Sequence, residues 1–484
     1  MKILLASAEA APFAKVGGLG DAVSSIARSV AKLGHEVRVI LPLYASINRA
    51  NLVPYDQPMI VNMGYGIEFC RLWRTVNFGV EFLFVEFEKY FGREGIYGEN
   101  GEGYGDNWER FSFFSRVVID ACDFTDWIPH IMHSHDWHSG LLPVMLREQR
   151  VYRLSETASV FTIHNLAHQG YSPPGILNFV GLPQKLLHPF AMEAMGAINI
   201  MKGALSYTDK ITTVSQSYAS EIKTPAHGCG LNDLLTYRAA DLIGICNAVD
   251  GDVWSPEKDP LIPAKFTHEN LEGKAKCKLV LQEKMGLNVD GNVLLIGVIS
   301  RLVEQKGLDI VCDILPKMMD NLHIQFVLLG SGDPALETRF RFHERNYSGR
   351  VSVKIGYDNV LSHMIEAGAD CFLMPSRYEP CGMNQMYSML YGTLPIVHAT
   401  GGLRDSVENY DAQSRSGSGF VFYQLDHKSL YNSVGWACAT YYNHRQDFMV
   451  MQKYAMQKDF SMEKMANAYL KVYEYSLDSH GKYA

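Results

Sequence analysis

Residues 376–385, SRYEPCGMNQ, follow a short apolar run, residues 371–374, and precede a segment with helical spacing. A turn between a buried strand and a helix presents side chains and backbone N–H groups at the carboxyl end of the strand. We expect Glu379 to orient a bound substrate and Gly382 to let an anion approach the backbone. In the simpler alternative, Glu379 only caps the helix and Pro380 only sets its first turn.

The same alternation of apolar runs and helical segments recurs along the whole chain. Short β-branched and apolar runs are typical of buried parallel strands, and apolar residues three or four positions apart are typical of helices packed on a sheet. The predicted strands are residues 3–6, 37–41, 82–85, 131–133, 160–163, 211–214 and 242–246, then 293–299, 324–329, 351–355, 371–374, 394–397 and 420–422. The sequence therefore predicts an α/β protein with two doubly wound, Rossmann-like domains.

A turn-rich stretch, residues 230–263, separates the two series of strands and indicates a linker between domains. We place an N-terminal α/β domain at residues 1–255 and a C-terminal one at 256–461. We expect the final helical segment, 462–484, to pack back on the first domain. Open α/β sheets bind ligands outside the carboxyl ends of their strands, so two facing domains would share one cleft.

Composition excludes several classes of protein. The chain has 484 residues, of which 47% are apolar and 20% charged, which is typical of globular domains. The net charge of -8 argues against nucleic acid or an anionic membrane as partner. Nine scattered cysteines without a C-x-x-C pair favour a reducing cytosol over a disulfide framework or a zinc site. The N-terminal apolar run is too short for a signal peptide, so we expect a cytoplasmic protein.

A glycine-rich loop, KVGGLGD at residues 15–21, follows the first predicted strand. Its glycines allow close backbone approach, and Lys15 adds a cation beside a helix N-terminus, so the loop suits a phosphate. The alternative is a tight turn with a solvated lysine. A second loop, residues 330–335, fits G-x-G-x-x-A, but no acidic residue about 20 positions later could bind a ribose, so we expect no NAD site.

Three histidines and a carboxylate lie together in HSHDWH, residues 133–138. His133 and His135 share one face of an extended strand, so one interpretation is a metal site. The turn into a helix that follows favours another, in which Asp136 hydrogen-bonds a hydroxylated ligand. HNLAHQG, residues 164–170, offers further polar groups after the next predicted strand, and the alternative is a histidine with a purely structural role.

Two cations, five residues apart, precede the start of another predicted helix in SRLVEQKG, residues 300–307. Arg301 and Lys306 together supply about the positive charge that a diphosphate requires. The alternative, a solvated basic turn, weakens because these cations and the Gly382 helix start would converge on one sheet edge. DGD at residues 250–252 matches a metal-binding pattern of some nucleotide-sugar enzymes, but we assign it to the linker.

Six motifs in this order resemble bacterial glycogen synthases and plant starch synthases. They are KVGGLGD at 15–21, DWH at 136–138, HNL at 164–166, SRLVEQKG at 300–307, EPCG at 379–382 and TGGL at 400–403. The resemblance spans nearly the whole chain. It implies the GT-B fold, ADP-glucose as the usual donor, an α-1,4-glucan acceptor and retention of anomeric configuration. It implies no essential metal or organic cofactor.

The resemblance also implies a role for particular residues. Those expected at the donor are Lys15, Gly17, Gly18, Asn247, Arg301, Lys306, Gly356, Tyr357, Cys381 and Gly382. Those expected at the transferred sugar and the acceptor are Asp21, Tyr97, Asp136, His164 and Asn165. Glu379, His164, Asp136 and Lys15 are the expected catalytic residues. Two positions depart from the pattern of the family. Ala248 stands where relatives usually carry Gly, and Asn384 stands where they often carry Thr or Ile.

The residues themselves favour a direct transfer. A diphosphate leaving group needs cations rather than a general acid, and no second carboxylate near Glu379 is evident for a double displacement. A front-face transfer, in which the leaving phosphate accepts the proton of the incoming hydroxyl, fits this pattern. Two alternatives are a non-catalytic glucan-binding homologue and a UDP-sugar or phosphorylase-like enzyme of the same fold. Intact Lys15, Arg301, Lys306 and Glu379 argue against the first, and nucleotide competition would separate the second.

Overall fold

The computed structural model describes residues 1–99, 101–149 and 152–480 and confirms the predicted α/β class. The chain divides into two compact units. The first consists of Met1–Ala248 and the residues from Met462 onward, and the second is Val249–Ser461. Residues 481–484 of the predicted final segment lie outside the described part. None of the described helices combines the length and apolar content needed to cross a bilayer.

The first unit is built on a sheet that has ten strands among the described residues. In spatial order they are Leu242–Gly244, Lys210–Thr213, Ala158–Ile163, Ile131–His135, Lys2–Ala6, Glu36–Pro42, Val80–Glu86, Gly66–Asn77 and Val53–Pro54, with Met59–Met63 paired to Gly66–Asn77. Neighbours from Leu242–Gly244 to Val80–Glu86 run parallel, and the remaining pairs are antiparallel. Two small antiparallel sheets lie outside this one. The first pairs Gly98–Glu99 with Glu102–Gly103, and the second has the strand order Tyr171–Ser172, Ala197–Asn199 and Glu193–Ala194.

The second unit is built on a six-stranded sheet in which every pair is parallel. In spatial order the strands are Val351–Ile355, Ile324–Gly330, Leu294–Ile299, Cys371–Met374, Leu394–His398 and Phe420–Phe422. Its interior strands are largely buried, and Ile324–Gly330 is buried throughout. Strands buried on both faces read as continuous apolar runs, which explains why the sequence predicted each of them.

Helices connect the strands of both sheets. In the first unit they are Gly18–Lys32, Glu88–Phe91, Asn107–Phe124, Leu141–Gln149, Ile176–Val180, Ile200–Tyr207, Gln216–Glu221, Asn232–Tyr237 and Met462–Ser479. In the second unit they are Glu272–Lys284, Leu308–Asn321, Pro334–Asn346, Asn359–Gly368, Asn384–Leu390, Gly401–Ser406, His427–Asn443 and Arg445–Met456.

Leu33 directly follows the first helix and is 38% exposed, because the helix ends at Lys32 and the chain turns at Gly34 with φ of 88°.

The boundary between the units lies earlier in the chain than predicted. The structure places it between Ala248 and Val249 instead of after residue 255. The Val249 N–H donates to the Phe460 carbonyl (2.9 Å), and the Trp254 ring stacks between His363 and Tyr387, with ring centroids 3.9 and 4.0 Å away. These contacts fix residues 249–254 of the predicted linker on the second unit. Within that stretch, the DGD motif forms a turn in which Asp250 accepts the N–H of Asp252.

The strand order reverses at one point in the parallel part of the first sheet and at one point in the second sheet. In the first unit the reversal lies between Lys2–Ala6 and Ile131–His135, and in the second between Leu294–Ile299 and Cys371–Met374. Ligands of open α/β sheets bind in the crevice outside the carboxyl ends of the strands at such a switch point. The loops that follow these strands are therefore where a site is expected.

Candidate functional site

A buried glutamate shapes the loop that follows the first strand. Glu9 is 3% exposed, and its Oε2 accepts the N–H groups of Val16 (2.7 Å) and Gly17 (3.1 Å). Its Oε1 accepts the hydroxyl of Tyr97 (2.5 Å). Burial, together with this carboxylate, raises the pKa of Tyr97 well above its ordinary value. The loop and the Tyr97 ring are thus held together by one side chain that the motifs did not reveal.

The glycine-rich loop leads into the helix Gly18–Lys32. The N-cap residue of this helix is Gly17, so no side chain at that position accepts a hydrogen bond from the first N–H groups. Gly17 has extended backbone angles, with φ of −143°, and a Cβ on Gly17 or Gly18 would meet no atom within 4 Å. Neither backbone strain nor packing within the described chain therefore requires glycine here. The open space lies at a helix N-terminus, where N–H groups and the helix dipole attract anions. Lys15 and Asp21 form an ion pair beside it (2.7 Å).

Asp136 lies directly after the other strand at this switch point and has an unusual backbone. Its φ of 53° and ψ of 178° fall in a region that favours glycine, and such strain is concentrated at functional sites. Oδ1 of Asp136 accepts the N–H groups of His164 (2.8 Å) and Asn165 (3.3 Å). Burial raises the pKa of Asp136 to about 7. This carboxyl can therefore accept a hydrogen bond from a hydroxylated ligand, or donate one to it, near neutral pH.

His164 and its neighbours complete the polar edge of the first unit. His164 Nε2 lies 3.0 Å from His135 Nδ1, and burial lowers the pKa of His164 to about 3, so its ring is neutral at physiological pH. Asn165 Oδ1 accepts the Ala167 N–H (3.1 Å) and so shapes its own loop. Asn247 Oδ1 is buried and has no hydrogen-bond partner among the described residues.

The histidine cluster is not arranged as a metal site. Nδ1 of His133 lies 2.9 Å from the Tyr473 hydroxyl and Nε2 lies 2.6 Å from Thr162 Oγ1, so both nitrogens are occupied. In the described part of the chain, no three His, Cys, Asp or Glu side chains come together in a way that could hold a metal ion. His138 instead packs against the rings of Tyr97 and Phe111. The arrangement favours the interpretation in which Asp136 binds a hydroxyl group.

In the second unit, the decapeptide of residues 376–385 places Glu379 against Lys306. Glu379 is 5% exposed, and its Oε2 lies 2.5 Å from Lys306 Nζ and accepts the Ser376 hydroxyl (3.0 Å). Gly382 has φ of 71°, a conformation that L side chains rarely adopt, and the helix Asn384–Leu390 begins two residues later. The predicted cation and carboxylate are therefore one paired, largely buried group, which makes a simple helix cap an insufficient description of Glu379.

Close backbone packing holds this loop in place. A Cβ on Gly401 would lie 2.0 Å from the Glu379 carbonyl oxygen, and one on Gly402 would lie 2.1 Å from the Cys381 carbonyl oxygen. The Gly402 N–H donates to that Glu379 carbonyl (3.1 Å). The TGGL motif thus supports the Glu379 loop. The side-chain amide of Asn384 donates to the Ile299 carbonyl (2.8 Å).

The remaining predicted residues of the second unit lie at the same edge of its sheet. Arg301 is exposed, in the loop after Leu294–Ile299. Gly356 has φ of 121° and open space where a Cβ would stand, while the ring of Tyr357 is 84% exposed. The G-x-G-x-x-A loop has a structural explanation, because Cβ atoms on Gly330 and Gly332 would lie 1.9 and 2.4 Å from backbone carbonyl oxygens.

Comparisons with known proteins identify relatives of this chain. A family model of the starch synthase catalytic domain matches residues 2–237, and one of glycosyl transferases group 1 matches residues 282–449. Glycogen synthase of Treponema denticola is 42% identical, and the match covers 98% of both proteins. Glycogen synthase 1 of Geobacter sulfurreducens is 41% identical, and the match covers 98% of this chain and 96% of the relative. The catalytic domain of starch synthase IV from Arabidopsis thaliana, solved with ADP and acarbose, is 32% identical over 99% of both chains with a TM-score of 0.91.

The fold and the two matching family models define a glycosyltransferase of the GT-B class, with two Rossmann-like units. The chain belongs to the family of glycogen synthases and starch synthases. The resemblance noted in the six sequence motifs is thereby confirmed.

Proposed function

We propose that this protein transfers glucose from ADP-glucose to the non-reducing end of an α-1,4-glucan with retention of configuration. The observation that carries the proposal is the Glu379–Lys306 pair at the switch point of an all-parallel sheet, a buried carboxylate and a cation held on adjacent loops. A glucosyl diphosphate presents hydroxyl groups and negative charge, and this pair offers a partner for each. The starch synthase relative solved with ADP and acarbose supports a nucleotide and a glucan as ligands.

In this proposal the leaving diphosphate is bound by cations and by backbone. Lys306, Arg301 and Lys15 supply positive charge, and the helix N-terminus at Gly17 supplies N–H groups. Positive charge placed where negative charge develops stabilises the transition state without a metal ion or organic cofactor. Gly382 and Cys381 provide close backbone approach, and Gly356 and Tyr357 lie toward the nucleoside. The second unit thus serves mainly the nucleotide.

The transferred glucose and the acceptor are bound by the first unit in this proposal. Asp136 and His164 form hydrogen bonds with sugar hydroxyls, and Asn247 satisfies its unpaired Oδ1 on the same ligand. Asp21, Tyr97 and Asn165 lie toward the acceptor. Buried polar groups such as Asp136 and Asn247 discriminate strongly for ligands with hydroxyl groups, because a ligand that lacks them leaves the site unsatisfied.

Glu379 orients the sugar in this mechanism and forms no covalent bond to it. Its Oε2 is already shared between Lys306 and Ser376, which lowers its nucleophilic character. The leaving phosphate accepts the proton of the incoming glucan hydroxyl on the same face of the sugar, so the anomeric configuration is retained. We also propose a cytoplasmic location, which the nine widely spaced cysteines support.

A glucan-extension assay tests this function. Purified protein is incubated with labelled ADP-glucose or UDP-glucose and a short α-1,4-glucan in the presence of a chelator. We expect incorporation from ADP-glucose that chelator does not abolish and products that an exo-acting α-1,4-glucosidase digests completely. Preferential use of UDP-glucose would replace the donor assignment. If neither donor is incorporated although donor and glucan both bind to the protein, a non-catalytic glucan-binding homologue would be favoured.

Gly17 provides a separate test of the anion-binding loop. We expect Gly17→Ala to weaken ADP binding on the order of tenfold, because the new methyl group occupies the space at the helix N-terminus. The melting temperature should stay unchanged, since the methyl meets no protein atom. Isothermal calorimetry with ADP and thermal melting measure the two effects. Gly175→Ala is the matched control, because Gly175 is another helix-capping glycine with open space. Equal ADP affinity of both variants would contradict the phosphate role.

A further inference from the structure

His135 lies directly behind His164 and is fully buried. Its Nδ1 is 3.0 Å from His164 Nε2, while its Nε2 is buried and has no hydrogen-bond partner within the described part of the chain. The His135 ring packs on His133 with centroids 4.1 Å apart. His133 is itself fixed through both nitrogens, to Tyr473 and Thr162. The orientation of the His135 ring is therefore set by a rigid neighbour.

Only one proton can lie between the two neutral rings, and two arrangements are possible. If His164 donates, His135 carries its proton on Nε2, where a buried N–H has no acceptor. If His135 donates, its Nε2 is an unprotonated lone pair and His164 carries its own proton on Nδ1. A buried donor without an acceptor is rarer and costlier than a buried acceptor without a donor. The second arrangement is therefore the stable one.

We propose that His135 is a positioning residue that fixes the tautomer of His164, so that His164 presents its Nδ1–H to a hydroxyl group of the transferred sugar. Asp136 fixes the same residue through its backbone, because Oδ1 of Asp136 accepts the His164 N–H. Backbone and ring of His164 are thus both held before substrate binds. The inference rests on the function proposed above, and it adds to it the direction of one hydrogen bond.

Two amide variants at position 135 test the role without changing charge. In His135→Asn, an amide nitrogen takes the place of Nδ1 and can still donate to His164. In His135→Gln, the amide lies one methylene further out, at the place of Nε2. We expect His135→Asn to keep kcat within about threefold, and His135→Gln and His135→Leu to lower it by about tenfold or more, because a misplaced group loses its alignment. KM for ADP-glucose should change less than kcat. Equal losses in the two amide variants would overturn the proposal.

A double-mutant cycle separates positioning from simple structural support. In a His164→Ala background, His135→Gln should cause no further loss of kcat, because its effect acts through His164. Additive losses would show that His135 acts by another route and would overturn the proposal. Thermal melting of each variant identifies any loss caused by unfolding, and the comparison is made between variants that remain folded.

Nitrogen-15 NMR of the histidine side chains gives a readout independent of turnover. We expect the His164 signals, assigned by their absence in His164→Ala, to show a protonated Nδ1 and an unprotonated Nε2. A protonated Nε2 would overturn the tautomer assignment. If the wild-type protein used no ADP-glucose, the proposed function would fail while this spectrum still tested the His135–His164 geometry. The two failures are therefore distinguishable.

Discussion

Lys306→Ala is expected to lower glucose transfer about a hundredfold or more and, at the same time, to destabilise the second unit. The loss of transfer follows from removing a charge that stabilises the leaving diphosphate, an effect of about 2 to 4 kcal/mol in the transition state. The loss of stability has a different cause. Glu379 is buried, and without Lys306 Nζ at 2.5 Å its Oε2 keeps only the Ser376 hydroxyl. An uncompensated buried charge is strongly destabilising.

A double substitution separates these two effects. When Lys306→Met is combined with Glu379→Gln, neither charge remains, and the new amide at position 379 keeps its contact with Ser376. We expect this double variant to recover most of the melting temperature of the wild type and none of its transfer activity. Lys306→Arg is the charge-conserving control. Near-normal turnover of Lys306→Ala, or a double variant as unstable as the single one, would contradict the paired role of these residues.

Acid is expected to unfold the first unit well before the second. Burial lowers the pKa of His133 and His164 to about 3, and holds those of His135 and His138 well below the ordinary 6.5. Below pH 6.5 the unfolded chain therefore binds protons that the folded chain does not. Stability that is present above pH 6.5 is lost as the pH falls toward these lowered values.

Other groups of the first unit work in the opposite direction, among them Asp136, Asp120 and His480, whose pKa values are all raised. The pKa of Asp136 is raised to about 7 in the folded state, from an ordinary value of 3.8. Between these two pH values the folded state holds a proton on Asp136 that the unfolded state has already released. Its contribution to stability is largest at low pH and is lost as the pH rises. The lowered histidine pKa values outweigh these raised ones in the range just below pH 6.5, so unfolding takes up protons there. The free energy of unfolding should therefore fall as the pH drops below about 6.

Hydrogen exchange followed by mass spectrometry, measured from pH 7 to pH 4.5 after correction for the intrinsic rate, resolves the two units. Peptides from the strands Ile131–His135 and Ala158–Ile163 should lose protection steeply. The second unit is the internal reference, because burial there raises the pKa of Glu366 to about 8, which favours the folded state in acid. His133→Gln should reduce the slope for the first unit by about one proton. An unchanged slope in that variant would contradict the histidine explanation.

The parallel strands of both units could be predicted from the sequence because burial on both faces leaves an unbroken apolar run. The antiparallel hairpin of Met59–Met63 and Gly66–Asn77 was not predicted. Each strand of that hairpin has one exposed face, and exposed positions such as Ile60 and Phe69 are themselves apolar. The alternation that normally marks a half-buried strand is therefore blurred.

The site was predictable to the extent that its residues form local motifs. Glu9 was missed, because a single acidic residue shortly before Lys15 has no periodic signal, and its partner Tyr97 lies far along the chain. His135 was noticed as a possible metal ligand, but its contact with His164 depends on strand register. In the sheet, His135 pairs with Thr162, so His164, which follows the strand Ala158–Ile163, lies beside His135. No local sequence pattern encodes that register.

The helix Met462–Ser479 has a consequence for how the protein is made. It belongs to the first unit, where Tyr473 reaches His133 and the Ser476 hydroxyl donates to the Ser159 carbonyl (3.0 Å). During translation, however, it emerges from the ribosome only after the entire second unit. Until this helix is synthesised, one face of the sheet of the first unit stays partly uncovered. The second unit can therefore reach its native state before the first unit is complete. The apolar surface that this helix covers therefore stays exposed on a newly made chain for as long as residues 249–461 take to be synthesised, and such transient exposure favours aggregation.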